Sequence, residues 1–168
     1  MIKVFIIAAE TLDGFIAKDS GHSPFLWTSK EDKQHFVEQT RRAGVVVMGS
    51  TTFKTLPRPM KERVNIVYSK SQNFEGAETT QDDPITLIKK LEERGFKEVA
   101  ICGGSSIYTM FLKAGIVDEI YMTIEPVIFG SGMSLLTEDI NVQLKLEESH
   151  TTEHGTIFTK YKVLNTLI

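Results

Sequence analysis

Cysteine is nearly absent from this sequence, which contains one such residue, Cys102, among 168. A single thiol cannot form a disulfide bond within the chain, and no group of cysteine and histidine residues has the spacing of a zinc site. We therefore expect a protein of the reducing cytoplasm that does not depend on a metal ion.

Long apolar segments are absent as well. No run of residues approaches the ~20 that a membrane-spanning helix requires. The first ten residues lack the basic region followed by a long apolar region that marks a secretory signal. We expect neither membrane insertion nor export.

The sequence also lacks an excess of charge of one sign. It has 19 lysine and arginine residues against 22 aspartate and glutamate residues, a formal net charge of −3. Binding to nucleic acid relies on clustered positive charge, so we expect a small-molecule partner and no nucleic acid. With 41% hydrophobic residues and no repeat, residues 1–168 are predicted to form one globular domain.

Short β-branched runs alternate with longer segments of helical periodicity. The strand-like runs lie at residues 4–9, 45–48, 64–69, 99–102 and 120–124. Lys30–Ala43 and residues 84–95 lie between them and have the periodicity of amphipathic helices. This alternation predicts an α/β protein in which helices cover both faces of a mostly parallel sheet.

The end of the chain has a different pattern. Residues 142–148 and 156–163 are strand-like runs on either side of Glu153-His154-Gly155, which predicts an antiparallel hairpin that closes a mixed sheet. Ligands of such sheets bind at the carboxyl ends of the strands, where the winding reverses. We therefore expect the site residues at the carboxyl ends of the strands.

Two of the predicted strands end in glycine and lead directly into a helix. Gly49 follows residues 45–48, and Gly103 and Gly104 follow residues 99–102. Glycine permits close approach of a ligand to the backbone, and the free amides of a helix start favour phosphate. A tight turn without a ligand is the alternative interpretation. Neither the G-x-G-x-x-G pattern nor a P-loop is present, so neither standard nucleotide motif is predicted.

A third feature is the start of the first predicted helix, where Ser29 and Asp32 have the spacing of a capping box. In that interpretation Ser29 caps the helix and Asp32 bonds back to it. In the alternative interpretation Asp32 points inward. Asp32 and Phe36 share one helix face because they are four residues apart, so a carboxyl group and an aromatic ring would line one pocket beside Trp27. Such a pocket suits a flat, polar ring.

Six segments, in order, resemble the dihydrofolate reductase family, especially the bacterial branch close to the reductase domain of the riboflavin-pathway deaminase-reductases. They are residues 11–17, Trp27 with Asp32, and residues 47–53, 58–67, 102–108 and 117–123. The resemblance covers nearly the whole chain. It implies a mixed, mostly parallel sheet of eight strands with helices on both faces, a C-terminal antiparallel hairpin, and NADPH bound across the carboxyl edge.

The resemblance also implies roles for the substrate side. Asp32 matches the acid that bonds the 2-amino group and ring nitrogen of the pterin, Trp27 the residue that holds a water beside it, and Thr123 the residue bonded to the acid. Hydride transfer to a C=N bond requires protonation of the nitrogen, so a single carboxyl group in an apolar cavity fits this chemistry. Further substrate contacts are implied at Ile7, Ala9, Phe36, Cys102 and Arg63, the last pairing with the α-carboxylate of the glutamate tail. For Arg63 the alternative is a solvated surface charge.

The residues implied on the cofactor side are Ala9, Ile16, Gly49, Ser50, Thr51, Thr52, Ser69, Lys70, Cys102, Gly103, Gly104, Ser105, Ser106, Ile107 and Tyr108. Lys70 could offer charge to the 2′-phosphate of NADPH, whereas Ser50 replaces a basic residue often used for that phosphate in the family. Glu10 is a second departure, because the family commonly has an apolar residue near the nicotinamide pocket at that position. A solvent-facing loop residue is the alternative for Glu10.

The sequence resembles two kinds of reductase within the family. Residues 11–17, 117–119 and 125–130 resemble the riboflavin-pathway reductases, whereas Trp27, Asp32 and residues 58–63 resemble dihydrofolate reductase. Because the second set contacts substrate, we expect reduction of 7,8-dihydrofolate to tetrahydrofolate; reduction of 5-amino-6-(5-phosphoribosylamino)uracil is the first alternative, and a non-catalytic nucleotide-binding domain the second.

The oligomeric state is left open by the sequence, and a homodimer is compatible with it. The apolar residues 127–129 could contribute to a dimer contact. We expect them instead to form a core strand.

Overall fold

The protein is built on one mixed sheet of eight strands. The structure, a computed structural model, describes residues 1–164, so residues 165–168 of the predicted domain lie outside the described part. The strands are β1 (Lys3–Thr11), β2 (Phe15–Ala17), β3 (Val45–Gly49), β4 (Val64–Tyr68), β5 (Glu78–Thr80), β6 (Glu98–Ile101), β7 (Glu119–Glu125), β8 (Met133–Ser134), β9 (Gln143–Thr151) and β10 (Ile157–Leu164). The helices are α1 (Lys30–Ala43), α2 (Ser50–Lys54), α3 (Pro84–Glu93) and α4 (Ser105–Lys113), preceded by a 3-10 turn at Pro24–Leu26.

The strand order confirms the predicted architecture. The large sheet runs β5-β4-β3-β6-β1-β7-β10-β9. All pairings from β5 to β7 are parallel, whereas β10 is antiparallel to both β7 and β9. Strand β6 lies between β3 and β1, so the two glycine turns that follow β3 and β6 are neighbours at the carboxyl edge.

Two apolar layers cover the sheet. Alternate residues of β1 point to opposite faces, so Ile6 packs in the layer with α3 and α4, and Phe5 packs in the layer with α1. Leu91 of α3 and Phe111 of α4 are fully buried in the first layer. Each buried side chain of this size stabilises the fold by about 1.5–3 kcal/mol. This packing fixes the strand ends that form the site.

Three short strands, β2, β5 and β8, were not expected from the sequence. Each has two or three residues, a length too short for alternation to distinguish a strand from a loop. Strands β2 and β8 form a separate antiparallel pair.

The expectation of a core strand at residues 127–129 is wrong. Strand β7 ends at Glu125, and Pro126 follows, which has no N–H to donate to a ladder. The side chain of Ile128 is exposed, whereas Phe129 packs edge to face on Trp27, with ring centroids 5.1 Å apart. The segment is therefore a loop that contacts the region of the predicted site.

Glu10 also differs from its alternative interpretation, because it lies in β1 and not in a loop. It is half-buried, and burial raises the pKa of its carboxyl group.

No helix within residues 1–164 combines the length and apolar composition needed to span a membrane.

Candidate active site

A cavity of about 400 Å³ lies at the carboxyl edge of the sheet, between α1 and the two glycine turns. The resemblance implies fifteen cofactor positions, and thirteen of them line this cavity: Ala9, Ile16, Gly49, Ser50, Thr51, Thr52, Cys102, Gly103, Gly104, Ser105, Ser106, Ile107 and Tyr108. Predicted substrate contacts that line the same cavity are Ile7, Ala9, Asp32, Phe36 and Cys102. Most residues singled out from the sequence thus line one cavity.

The glycine turns form one wall, with their backbones in direct contact. The N–H of Gly49 donates to the carbonyl of Gly103 at 2.8 Å. A Cβ at Gly49 would lie 3.3 Å from Ile107, and a Cβ at Gly104 would lie 3.3 Å from the Thr52 hydroxyl. Side chains at these positions would crowd the wall, so glycine lets the two turns pack closely together.

Helix α4 begins at this wall without a side-chain cap. Its N-cap residue is Gly104, joined to Gly103 by a cis peptide bond, and no side chain of the described residues caps its first amides. Gly103 has a φ of +105°, and a Cβ there would lie 3.0 Å from the Tyr108 hydroxyl. Uncapped amides at a helix start bind anions well. The chemistry of this wall therefore fits a phosphate-bearing cofactor such as NADPH.

Two polar side chains of α4 are already engaged with the protein. The hydroxyl of Ser105 donates to the carbonyl of Ser134 at 2.6 Å, and that of Tyr108 donates to the carbonyl of Ile7 at 2.8 Å. These bonds tie α4 to β8 and β1. They stabilise the shape of the cavity.

Asp32 forms the opposite wall, in the first turn of α1. The residue is 9% exposed. Burial raises the pKa of its carboxyl group, and the carboxylate of Glu125 acts in the same direction. The hydroxyls of Thr123 and Thr28 and the charge of Lys33 oppose this rise without reversing it. The environment therefore favours the protonated acid more than water would.

The two interpretations of Ser29 and Asp32 each hold in part. The Ser29 hydroxyl accepts from the N–H of Asp32 at 3.1 Å, which is one half of a capping box. The other half is made by a different residue, because the N–H of Ser29 donates to Glu125 Oε1 at 3.0 Å. The carboxyl group of Asp32 lines the cavity instead.

Trp27 and Thr123 flank the cavity without lining it. Trp27 packs against Phe129, and its indole nitrogen is buried with no hydrogen-bond partner within residues 1–164. Thr123 is buried in β7 and its hydroxyl is close enough to Asp32 to affect the pKa of the acid. The water-holding role of Trp27 stays a prediction.

Arg63 is half-buried, outside the cavity wall. Its Nε donates to the carbonyl of Lys61 and its Nη1 donates to the hydroxyl of Thr40, both at 2.8 Å. Burial lowers its pKa, and the nearby charge of Arg41 adds to that effect. The guanidinium is thus held in place by α1.

Ser69 and Lys70, the remaining predicted cofactor positions, also lie outside the wall. The Ser69 hydroxyl accepts from the N–H of Gln72 at 3.0 Å, and Lys70 is exposed. Their predicted contacts to a nucleotide stay predictions.

Several cavity residues were missed by the sequence reasoning. Tyr68, the last residue of β4, lines the cavity, and its hydroxyl is buried with no partner within the described chain. Burial raises its pKa. Lys33 and His22 also face the cavity. Tyr68 could have been found from its place at a strand end beside Ser69, whereas the path of the loop that carries His22 has no periodic signal.

Known proteins resemble this chain in sequence and in structure. A sequence model described as dihydrofolate reductase matches residues 3–131. The chain belongs to the dihydrofolate reductase family. It is 30% identical to the dihydrofolate reductase of Haemophilus influenzae over an alignment covering 70% of this chain and 69% of that protein.

Solved structures from both branches share the fold. Dihydrofolate reductase from Enterococcus faecalis, solved with NADP(H), has a TM-score of 0.77 and 23% identity, covering 96% of each chain. The deaminase/5-amino-6-(5-phosphoribosylamino)uracil reductase from Thermotoga maritima has a TM-score of 0.76 and 17% identity, covering 97% of this chain and 57% of that one. The predicted family and fold are confirmed, and the reductase names of these relatives indicate an oxidoreductase.

Proposed function

We propose that this family member reduces 7,8-dihydrofolate to tetrahydrofolate with NADPH. The observation that carries the proposal is the carboxyl group of Asp32, sheltered from water in the cavity and facing the wall formed by the glycine turns. Reduction of a C=N bond requires a proton at nitrogen, and a buried acid with a raised pKa retains its proton to a higher pH than it would in water.

Part of the wall beside Asp32 is apolar. Phe36 lies one helical turn after Asp32, and Phe25 meets its ring edge to face at a centroid distance of 6.4 Å. Leu56 and Met60 line the same cavity. These side chains would exclude water around a heterocycle and pack against the aromatic ring that follows it in folate.

NADPH, when bound, supplies the hydride. The uncapped amides at the start of α4 would hold its phosphates, and the hydroxyl of Tyr68, buried without a partner in the described chain, would meet its nucleotide part. Lys70 could offer charge to the 2′-phosphate. Ile7 and Ala9, at the floor of the cavity, would contact the nicotinamide and the substrate.

Arg63 would pair with the α-carboxylate of the glutamate tail. Its contact with Thr40 orients the guanidinium, whose planar fork matches a carboxylate. Replacement Arg63→Ala should raise KM for dihydrofolate roughly tenfold with a smaller effect on kcat, since the tail is remote from the reacting bond. Arg58→Ala is the matched control, because Arg58 is an exposed arginine of the same loop. Equal KM values in the two variants would exclude this tail site.

A specific observation also favours the second candidate, reduction of 5-amino-6-(5-phosphoribosylamino)uracil. Lys33 and His22 lie in the cavity wall, whereas Arg63 does not. An amine and an imidazole inside the cavity could bind the phosphate of a substrate shorter than folate. The Thermotoga reductase with the same fold bears this reaction in its name.

The direct test is to mix the purified protein with NADPH and each substrate and to follow the loss of NADPH absorbance. Faster turnover of dihydrofolate supports the proposal. Turnover of the phosphoribosylamino compound alone would assign the second reaction. Binding of NADPH without turnover of either would leave the nucleotide-binding alternative.

A further inference from the structure

Glu125, the last residue of β7, is a buried carboxylate to which the sequence reasoning gave no role. Its residue exposure is 3%. Oε1 accepts from both the N–H and the hydroxyl of Ser29, at 3.0 and 2.7 Å, and Oε2 accepts from the hydroxyl of Thr156 at 3.0 Å. Every one of these donors is neutral, so no cation within residues 1–164 compensates the charge through a hydrogen bond.

The contact with Ser29 replaces a bond that Asp32 would otherwise make. Ser29 is the N-cap of α1 and Asp32 is its third residue. In a complete capping box the acid at the third position accepts from the N–H of the N-cap residue. Here Glu125 accepts that N–H, while the Ser29 hydroxyl still accepts from Asp32 N–H at 3.1 Å. The helix start is satisfied without the carboxyl group of Asp32.

We propose that Glu125 is a positioning residue that holds Ser29, completes the cap of α1 in place of Asp32, and so keeps the Asp32 carboxyl group in the cavity. Its catalytic consequence rests on the proposed function of the site. Its structural consequence, the position and titration of Asp32, does not.

The charge of Glu125 has a second effect on the same acid. A nearby carboxylate disfavours the ionisation of an acid, and after burial Glu125 contributes to the raised pKa of Asp32. Other ionisable groups facing the cavity around Asp32 are Asp19, His22, Lys33, Tyr68, Cys102 and Tyr108. Among them Lys33 opposes the rise. Removal of the Glu125 charge should therefore lower the pKa of Asp32.

Two substitutions of Glu125 separate its effect on the position of Asp32 from the effect of its charge. Glu125→Gln keeps an oxygen that can accept from Ser29 but removes the charge. The alkaline limb of the kcat profile should then move down by about half to one pH unit, with kcat at low pH retained. Glu125→Ala removes the acceptor as well, so the carboxyl group of Asp32 can turn back to the N–H of Ser29, and kcat should fall roughly tenfold at every pH.

Glu119→Gln is the matched control, since Glu119 is a buried acid at the other end of β7. It should leave the pH profile of turnover unchanged. A profile shifted equally by both glutamine variants would overturn the proposal, because the effect would then be general to the strand.

A readout independent of turnover is the titration of Asp32 by carbon-13 NMR of labelled aspartate, assigned with Asp32→Asn. The midpoint should be lower in Glu125→Gln than in the unmodified protein. An unchanged midpoint in Glu125→Gln overturns the effect of the charge, and an undiminished kcat in Glu125→Ala overturns the positioning role. If Glu125→Ala does not fold, Glu125→Met, which keeps the length of the side chain without an acceptor for Ser29, makes the same test of position. A lowered midpoint in a protein that reduces neither substrate would sustain the inference while the proposed function fails.

Discussion

The two ends of β7 place buried acids in opposite electrostatic environments. At the amino end, burial alone would raise the pKa of Glu119. A hydrogen bond from Lys3 at 3.1 Å and the charge of Lys160 at 3.4 Å outweigh burial and hold that pKa below its ordinary value. At the carboxyl end, Asp32 lies beside Thr123 and Glu125, and its pKa is raised.

The difference lies in what each acid faces. The ammonium groups beside Glu119 stabilise its ionised form, which makes it a structural carboxylate. The side chain of Asp32 has no ion pair within residues 1–164 and faces a cavity. Two buried acids thus differ in function: the one beside the ammonium groups favours its ionised form, and the one facing the cavity favours its protonated form.

The largest expected effect is the loss of turnover in Asp32→Asn. The amide has nearly the same shape but cannot supply or retain the required proton, so turnover at neutral pH should fall about 100-fold to 1,000-fold. The dissociation constant for NADPH should change little, because the glycine turns are untouched. Steady-state kinetics with NADPH binding by fluorescence measures both. Undiminished turnover would mean that Asp32 is not the acid of the site.

The sequence predicted the residues around the carboxyl end of β7 better than those around its amino end. Asp32 and Phe36 were assigned to one pocket from their helical spacing and from the family resemblance, and both line the cavity. The contact of Glu125 with Ser29 could not be predicted, because it joins residues 96 positions apart and has no local pattern.

The same limit explains the errors in the fold. The β-branched runs were predicted correctly as parallel strands, because burial on both faces requires such composition. Residues 127–129 are equally apolar but follow Pro126, and their contacts depend on Trp27, a distant residue. Composition indicates that a segment will be buried, whereas the partner that buries it is determined by the tertiary fold.

Glu119→Gln should have an intermediate effect, on stability instead of turnover. Loss of the charge facing Lys3 and Lys160 should lower the free energy of unfolding by about 1 kcal/mol at neutral pH. Because the folded-state pKa of Glu119 is lowered, its contribution is present above the unfolded-state pKa and is lost as pH falls through the folded-state value. Urea unfolding at neutral and strongly acidic pH should therefore show a difference between the two proteins only at neutral pH.

The smallest expected effect is a gain in stability in Asp32→Asn. The raised pKa of Asp32 means that folding disfavours its ionisation, so stability is full below the unfolded-state pKa and declines as pH rises toward the folded-state value. The asparagine variant lacks this decline and should melt about 1–3 °C higher at neutral pH. A lower melting temperature would indicate that the ionised carboxylate stabilises the fold.

The most direct test of the central claim is the pH dependence of single-turnover hydride transfer from NADPH to dihydrofolate. We expect the rate to fall with rising pH through an apparent pKa above the ordinary value for aspartate, and Asp32→Asn to give a low rate without that transition. An Asp32→Asn variant that retains both the rate and the transition would contradict the assignment of Asp32 as the sheltered acid.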